Sequence, residues 1–125
     1  MIATNTLKVF YKKEDNHRFL NREVDSLEDM QQLVGGLIEC ISLPHNIDLW
    51  VNEEGMIRGL EINLMLLWND YHQAVSGPVF FAGKGQNGET ISLSKEQRQW
   101  IAQHLLIAQL NNGNSVVAVD LRENF

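Results

Sequence analysis

Residues 26–55 read SLEDMQQLVGGLIECISLPHNIDLWVNEEG, and how they fold decides how the rest of the chain packs. Ser26 opens a helix, because its hydroxyl can accept from a free backbone N–H of the first turn. Glu28 and Asp29 sit where the helix dipole favours negative charge. Leu27, Met30, Leu33 and Val34 fall on one stripe, with Glu28, Asp29, Gln31 and Gln32 outside it. Gly35 stops the helix, since it can take the left-handed conformation of a C-terminal cap, and Gly36 lets the chain turn back. Leu37 to Leu43 reads as a strand apolar on both faces, and so as a central one. Pro44-His45-Asn46 breaks it, and Ile47 to Val51 returns antiparallel. Asn52-Glu53-Glu54-Gly55 has the pattern of a type I turn with Gly55 in the left-handed slot, so Met56-Ile57 should begin the next strand.

Upstream, Thr6 to Lys13 alternates, with Leu7, Val9 and Tyr11 on one face and Lys8, Phe10 and Lys12 on the other. Glu14-Asp15-Asn16 supplies turn residues, and His17 to Val24 returns as the second strand of a hairpin. Downstream, Leu64, Leu67, Trp68, Tyr71 and Val75 have helical spacing and predict a helix over 64–75. Val79 to Ala82 is a short apolar strand. The run Gly83-Lys84-Gly85-Gln86-Asn87-Gly88-Glu89 leads into another strand at Thr90–Leu93, so it reads as a hairpin loop. A phosphate-binding loop would need Lys-Ser or Lys-Thr opening a helix. Ser94 with Gln97 forms a capping box for a helix from Lys95 to about Asn111, with His104 on its apolar stripe and Gly113 as its stop. Val116 to Leu121 is a final strand.

The expected fold class is therefore α+β, a mostly antiparallel sheet of five to seven strands with two or three helices packed on one face. One domain over 1–125 is expected. It holds an N-terminal hairpin at 6–24, a central helix-strand-strand unit at 26–57, and a C-terminal helix and strand at 94–121.

The net charge of −6 is unevenly placed. Residues 8–22 carry a local excess of positive charge, and the acids are scattered along the remainder. That balance argues against a generic nucleic-acid binder, and the dispersion of the acids argues against a mimic of the DNA backbone. The single Cys40 cannot form an internal disulfide or a cysteine-based metal site, which points to a reducing, cytoplasmic setting. No apolar run is long enough to span a bilayer, and no secretory leader is legible at the N-terminus.

The chemistry-bearing residues are few. His17, His45, His72 and His104 fall in different elements without metal-site spacing, Cys40 lies within an apolar strand as inert packing, and no serine occupies a nucleophile elbow. No catalytic residue, metal or cofactor is therefore nominated. One polar constellation could line a ligand rim: Glu39, Asn52, Glu53, Glu54, Arg58 and Asn63. The competing reading is structural, with Asn52 capping a turn, Glu53 and Glu54 solvated at its tip, and Glu39 paired with Arg58. On the hairpin, Lys8, Lys12, Lys13, Arg18 and Arg22 could form a basic ribbon for phosphates. A solvated outer face with charges guarding a sheet edge explains them more simply.

Val34-Gly35-Gly36-Leu37-Ile38-Glu39, the turn Asn52-Glu53-Glu54-Gly55, and Gly59-Leu60 followed by Asn63 resemble the family known as domain of unknown function 3846. Gly77-Pro78-Val79 and Ser92-Leu93-Ser94 fit the tail of that pattern, so the resemblance runs from about Leu7 to Gln99. It implies a small protein of bacteria, phages or plasmids and no catalytic residues. The Trp-rich segment Met65–Ala74 and the extension past Gln99 stand outside the pattern. From this follow three functional expectations. The foremost is a non-enzymatic binding or accessory protein of phage or plasmid origin that engages a host protein or itself. Another is a binder of a small polar ligand (nucleotide, sugar or amine) with a rim at Glu39, Asn52 and Asn63. The last is a nucleic-acid contact through the basic hairpin.

Overall fold

In a computed structural model that describes residues 6–14 and 17–123, the chain forms ten strands and two helices among those residues. The strands make two sheets rather than the single sheet expected. The first sheet takes β1 (Leu7–Lys12), β2 (Leu20–Val24), β3 (Ile38–Leu43), β4 (Ile47–Asn52), β7 (Val79–Lys84) and β8 (Thr90–Ile91). Its order is β2-β1-β7-β4-β3, with β8 also on β7. The second sheet takes β5 (Ile62–Leu67), β6 (His72–Ser76), β9 (Leu105–Gln109) and β10 (Ser115–Asp120) in the order β6-β5-β10-β9. All pairings are antiparallel except that of β5 with β10.

Alternation along β7 shows how the layers form. Phe81 points into the core between the sheets, with Leu49, Leu64, Leu66, Val117 and Val119. Phe80 points the other way, under α1 (Leu27–Val34), with Val9, Val24, Met30 and Val34. Side chains with period two thus feed two cores from one strand. The layers run helix, sheet, sheet.

The elements of the opening stretch form as their residues dictate. Ser26 accepts from Asp29 N, and Gly35 closes α1 in the left-handed conformation with its N–H on Gln31 O. β3 and β4 pair antiparallel from Ile38↔Asn52 to Leu43↔Ile47. β3 is the outermost strand, however, and β4 and β7 are the central ones. Met56 and Ile57 do not start a strand, because the chain stays in successive turns until β5 begins at Ile62. Gly55 does not take a positive φ either. It is needed because a Cβ there would fall well inside van der Waals contact with the Ser76 carbonyl oxygen.

The helix expected over 64–75 is the β5–β6 hairpin. Trp68 N–H donates to Tyr71 O at 2.9 Å across a turn through Asn69 and Asp70. The last helix, α2 (Lys95–Gln103), has the capping box of Ser94 and Gln97 but ends at His104 instead of running to Asn111. The residues after it become β9, and Gly113, with φ 89°, serves the turn between β9 and β10. Nor do the two helices share a face. α1 covers the outer side of the first sheet, and Ile101 of α2 reaches the core between the sheets. Of the expected α+β fold, the predominantly antiparallel strands and the two helices stand, in a chain that is mostly β. No helix among the described residues is long and apolar enough to cross a membrane.

Candidate functional site

Of the six residues of the expected ligand rim, four line two separate clefts, and Glu54 and Arg58 line neither. Glu39, Asn52 and Glu53 line a small cleft of about 170 Å³ with Met56, Gly55 and residues 73–76 of β6. Asn63 lies elsewhere, in a larger cleft of about 630 Å³ with Lys12, His17, Asn112 and Asn114.

In the first place, Asn52 and Arg58 prove to be devices for closing α1. The Asn52 side chain, buried, donates from Nδ2 to Val34 O at 3.0 Å and accepts from Glu54 N at 2.8 Å. Arg58 Nη1 donates to Gly35 O at 3.0 Å. Both satisfy carbonyls that the last helical turn leaves without partners, and the guanidinium sits where the dipole favours a cation. Gly36 makes room for them, since a Cβ there would meet Asn52 Nδ2 at 3.0 Å and Arg58 Nη1 at 3.2 Å. Glu39 is therefore not paired with Arg58. It is exposed on the edge strand, on the same side as Ile41 and Leu43. Glu53 and Glu54 are exposed as turn residues.

The turn itself is held by backbone bonds. Glu53 N donates to Leu37 O at 2.8 Å, Gly55 N to Asn52 O at 3.2 Å, Arg58 N to Glu54 O at 2.8 Å, Gly59 N to Met56 O at 3.1 Å and Leu60 N to Gly55 O at 2.9 Å. What this scaffold presents outward is apolar: Met56 is 70% exposed and Ile57 87%. The helical and alternating periodicities did not mark these two residues, because each was read as the start of a strand. The signal that was available is the pair of apolar residues directly after a turn tetrad.

In the second place, Lys12 is only 2% exposed, although it stood in the basic ribbon of the sequence reading. Its Nζ donates to Asn63 O at 2.9 Å and, by a short bond, to Asn63 Oδ1. Asn63, also buried, returns Nδ2 bonds to Lys12 O at 3.0 Å and Gly77 O at 2.9 Å. A buried ammonium needs such partners, because desolvation of a charge otherwise costs several kcal/mol.

The remaining hairpin charges do not make one basic face. β1 and β2 pair with Lys8 opposite Glu23 and Val9 opposite Arg22, so Lys8 and Arg22 lie on opposite sides of the sheet. The Arg22 guanidinium stands 5.7 Å from the centre of the Tyr11 ring. Burial raises the Tyr11 pKa, as does Glu14, while Arg22 lowers it. Lys13 and Arg18 are exposed in the connection, and Asp15 and Asn16 of the expected turn lie outside the described residues.

Cys40 is an exposed residue of the edge strand rather than core packing. Partial burial of the thiol, then the neighbouring Asp48 carboxylate, push its pKa up to about 11, so the nucleophilic thiolate is scarce at neutral pH. His104 stacks on Trp100 at 4.0 Å and places Nδ1 2.7 Å from Trp100 O, which makes it a helix-end residue. Among the described residues no cluster of three or more His, Cys, Asp or Glu is placed to hold a metal ion.

The family model described as Domain of unknown function (DUF3846) matches residues 7–106. The chain belongs to this family. The DUF3846 match spans the β5–β6 hairpin and ends at Leu106, at the start of β9, so residues 107–125 lie beyond it. No curated protein and no solved structure matches the chain. Within the DUF3846 region, the glycine pair, Asn52 and Arg58 cooperate to close α1 against the 53–59 turn.

Proposed function

We propose that this DUF3846 protein is a non-enzymatic binding protein, and that the 53–59 turn is where it meets a protein partner. The observation that carries this reading is the exposure of Met56 and Ile57 on a turn that five backbone bonds hold in place. Large apolar side chains held outward on a rigid support lose little entropy on docking, and such exposed apolar surface commonly marks a protein contact. Solvated Glu53, Glu54 and Glu39 would supply the polar rim around it. In the accessory role this implies, the partner is a cytoplasmic protein of the cell that hosts a phage or plasmid.

The test is retention of proteins from such a cell on the immobilised chain, compared with an Ile57→Asp variant. A defined protein is expected on the parent and at least about tenfold less of it on the variant, as removal of a central apolar anchor costs more than 1.4 kcal/mol. The variant's melting temperature should be unchanged, since exposed substitutions stay within about 0.5 kcal/mol. Equal retention by both chains would refute the reading.

The cleft at Lys12 and Asn63 favours a second reading, the binding of a small polar ligand. The cleft is lined by His17, Asn112 and Asn114 as well as the Glu61 carboxylate, and its amide and imidazole groups suit a polar molecule such as a nucleotide. Nucleotides are expected to raise the melting temperature, because a ligand bound only to the native state stabilises it. Asn114→Asp, which adds a negative charge at the exposed lip, should cancel that shift. If no nucleotide shifts the melting temperature, this second reading fails.

A further inference from the structure

The two sheets treat their edges differently. β2 carries Arg22 and Glu23 on the outer edge of the first sheet, and β3 carries Glu39 on the other. β6, one edge of the second sheet, lies against β4, pairs with β5 across an irregularity between Ile62 and Leu64, and helps line the small cleft. β9, the opposite edge, has none of these protections. Its sequence is Leu105-Leu106-Ile107-Ala108-Gln109, and residues 99–119 contain no Asp, Glu, Lys or Arg. Leu106 is 43% and Ile107 63% exposed. Charges, prolines and bulges are the usual means of keeping an edge from pairing, and a flat apolar edge lacking them invites another strand.

The ladder shows which backbone groups are open. Asp120 N donates to His104 O at 2.7 Å and Leu110 N to Asn114 O at 2.7 Å. In an antiparallel ladder bonded pairs alternate with unbonded ones, so 104, 106, 108 and 110 face β10. Leu105, Ile107 and Gln109 therefore turn their N–H and C=O groups to the outer edge, where no described strand pairs with them.

We propose that β9 pairs antiparallel with β9 of a second copy about a two-fold axis at Ile107, joining the two four-stranded sheets into one. The register is self-complementary. Ile107 faces Ile107 of the second copy, Leu106 faces Ala108, and Leu105 faces Gln109, so that on either side of the axis large side chains meet small or polar ones. The three outward residues of each copy supply matched donors and acceptors. Charge favours the same occupant: two copies carrying −6 each would approach through a segment free of charged side chains. The pairing is independent of the 53–59 turn.

Sedimentation velocity across a range of concentrations, with disulfide trapping, tests the pairing. The parent chain is expected to show a concentration-dependent dimer. Ile107→Lys, which sets like charges face to face, should weaken the dimer by roughly a hundredfold or more. Should Ile107→Lys fail to fold, Ile107→Pro gives the same readout, since the N–H it removes points to the outer edge and is not used by β10. In a Cys40→Ser background, Ile107→Cys should be crosslinked by mild oxidation. Bonded antiparallel partners stand about 5.5 Å apart at Cα, within disulfide reach. Ala102→Cys, exposed on α2, should not crosslink. A monomer at all concentrations, or a dimer that survives Ile107→Lys and Ile107→Pro alike, overturns the proposal.

Discussion

A Gly55→Ala chain should unfold at a much lower urea concentration than the parent, with a loss of about 3 kcal/mol of stability. The added methyl would sit against the Ser76 carbonyl, which is backbone within β6 and cannot rotate aside. Relief would require the turn to move away from β6. The turn is tied on one side by Glu53 N–H on Leu37 O, and the chain just after it by Gly77 N–H on Glu61 O, so the movement would strain bonds at both ends. Gly59→Ala is the matching control. It lies at φ 72° with nothing within 4 Å of a built Cβ, so it carries only the cost of the left-handed conformation, about 1–2 kcal/mol. Equal losses at the two positions would show that the close approach to Ser76 does not hold the turn.

Asn63→Ala should be comparably severe, at roughly 3 kcal/mol, because it removes a hydrogen bond to a buried charge and leaves two carbonyls without their donor. The substitution strips an acceptor from the Lys12 ammonium and leaves the Lys12 and Gly77 carbonyls without the Nδ2 donor. Asn63→Asp separates these contributions. It keeps an acceptor and gives the ammonium a carboxylate but still orphans the two carbonyls, so a loss of about 1–3 kcal/mol is expected. Denaturant midpoints with unchanged slope would measure both. A loss below 1 kcal/mol for Asn63→Ala would mean that the link between β1 and β5 contributes little to stability.

What the sequence made legible was local. The Ser26 and Ser94 caps, the Gly35 stop, the β3–β4 hairpin and the loop from Gly83 to Glu89 each follow from neighbours within a few residues. The errors occurred where a distant partner decides the conformation. Leu64, Leu67, Trp68, Tyr71 and Val75 have helical spacing by coincidence, and pairing with β10 and β6 makes them strands on either side of the Asn69–Asp70 turn. Leu105 to Gln109 could have continued α2, yet Asn111-Asn112-Gly113-Asn114 is turn chemistry that returns the chain as β10. Tertiary pairing overrode spacing in both cases.

The candidate sites show the same division. Asn52 as a turn residue was readable, because it caps its own turn through Glu54 N. Its second bond, to Val34 O, depends on where α1 ends in space. Lys12 looked like one more surface cation on an alternating strand, because Asn63, its partner, lies 51 residues away. Glu39 and Asn63, read as parts of one rim, belong to different clefts, one beside β6 and the other beside Lys12 and the β9–β10 turn.

The most direct test of protein contact at the 53–59 turn is site-specific photocrosslinking in the cells that make the protein. A benzophenone side chain would replace Ile57 in one chain and Glu96, exposed at the start of α2, in another. The expected result is one discrete adduct with a different protein from position 57 and none from position 96. The absence of an adduct at 57, the same adducts from both positions, or a product the size of two copies of this chain would contradict the account.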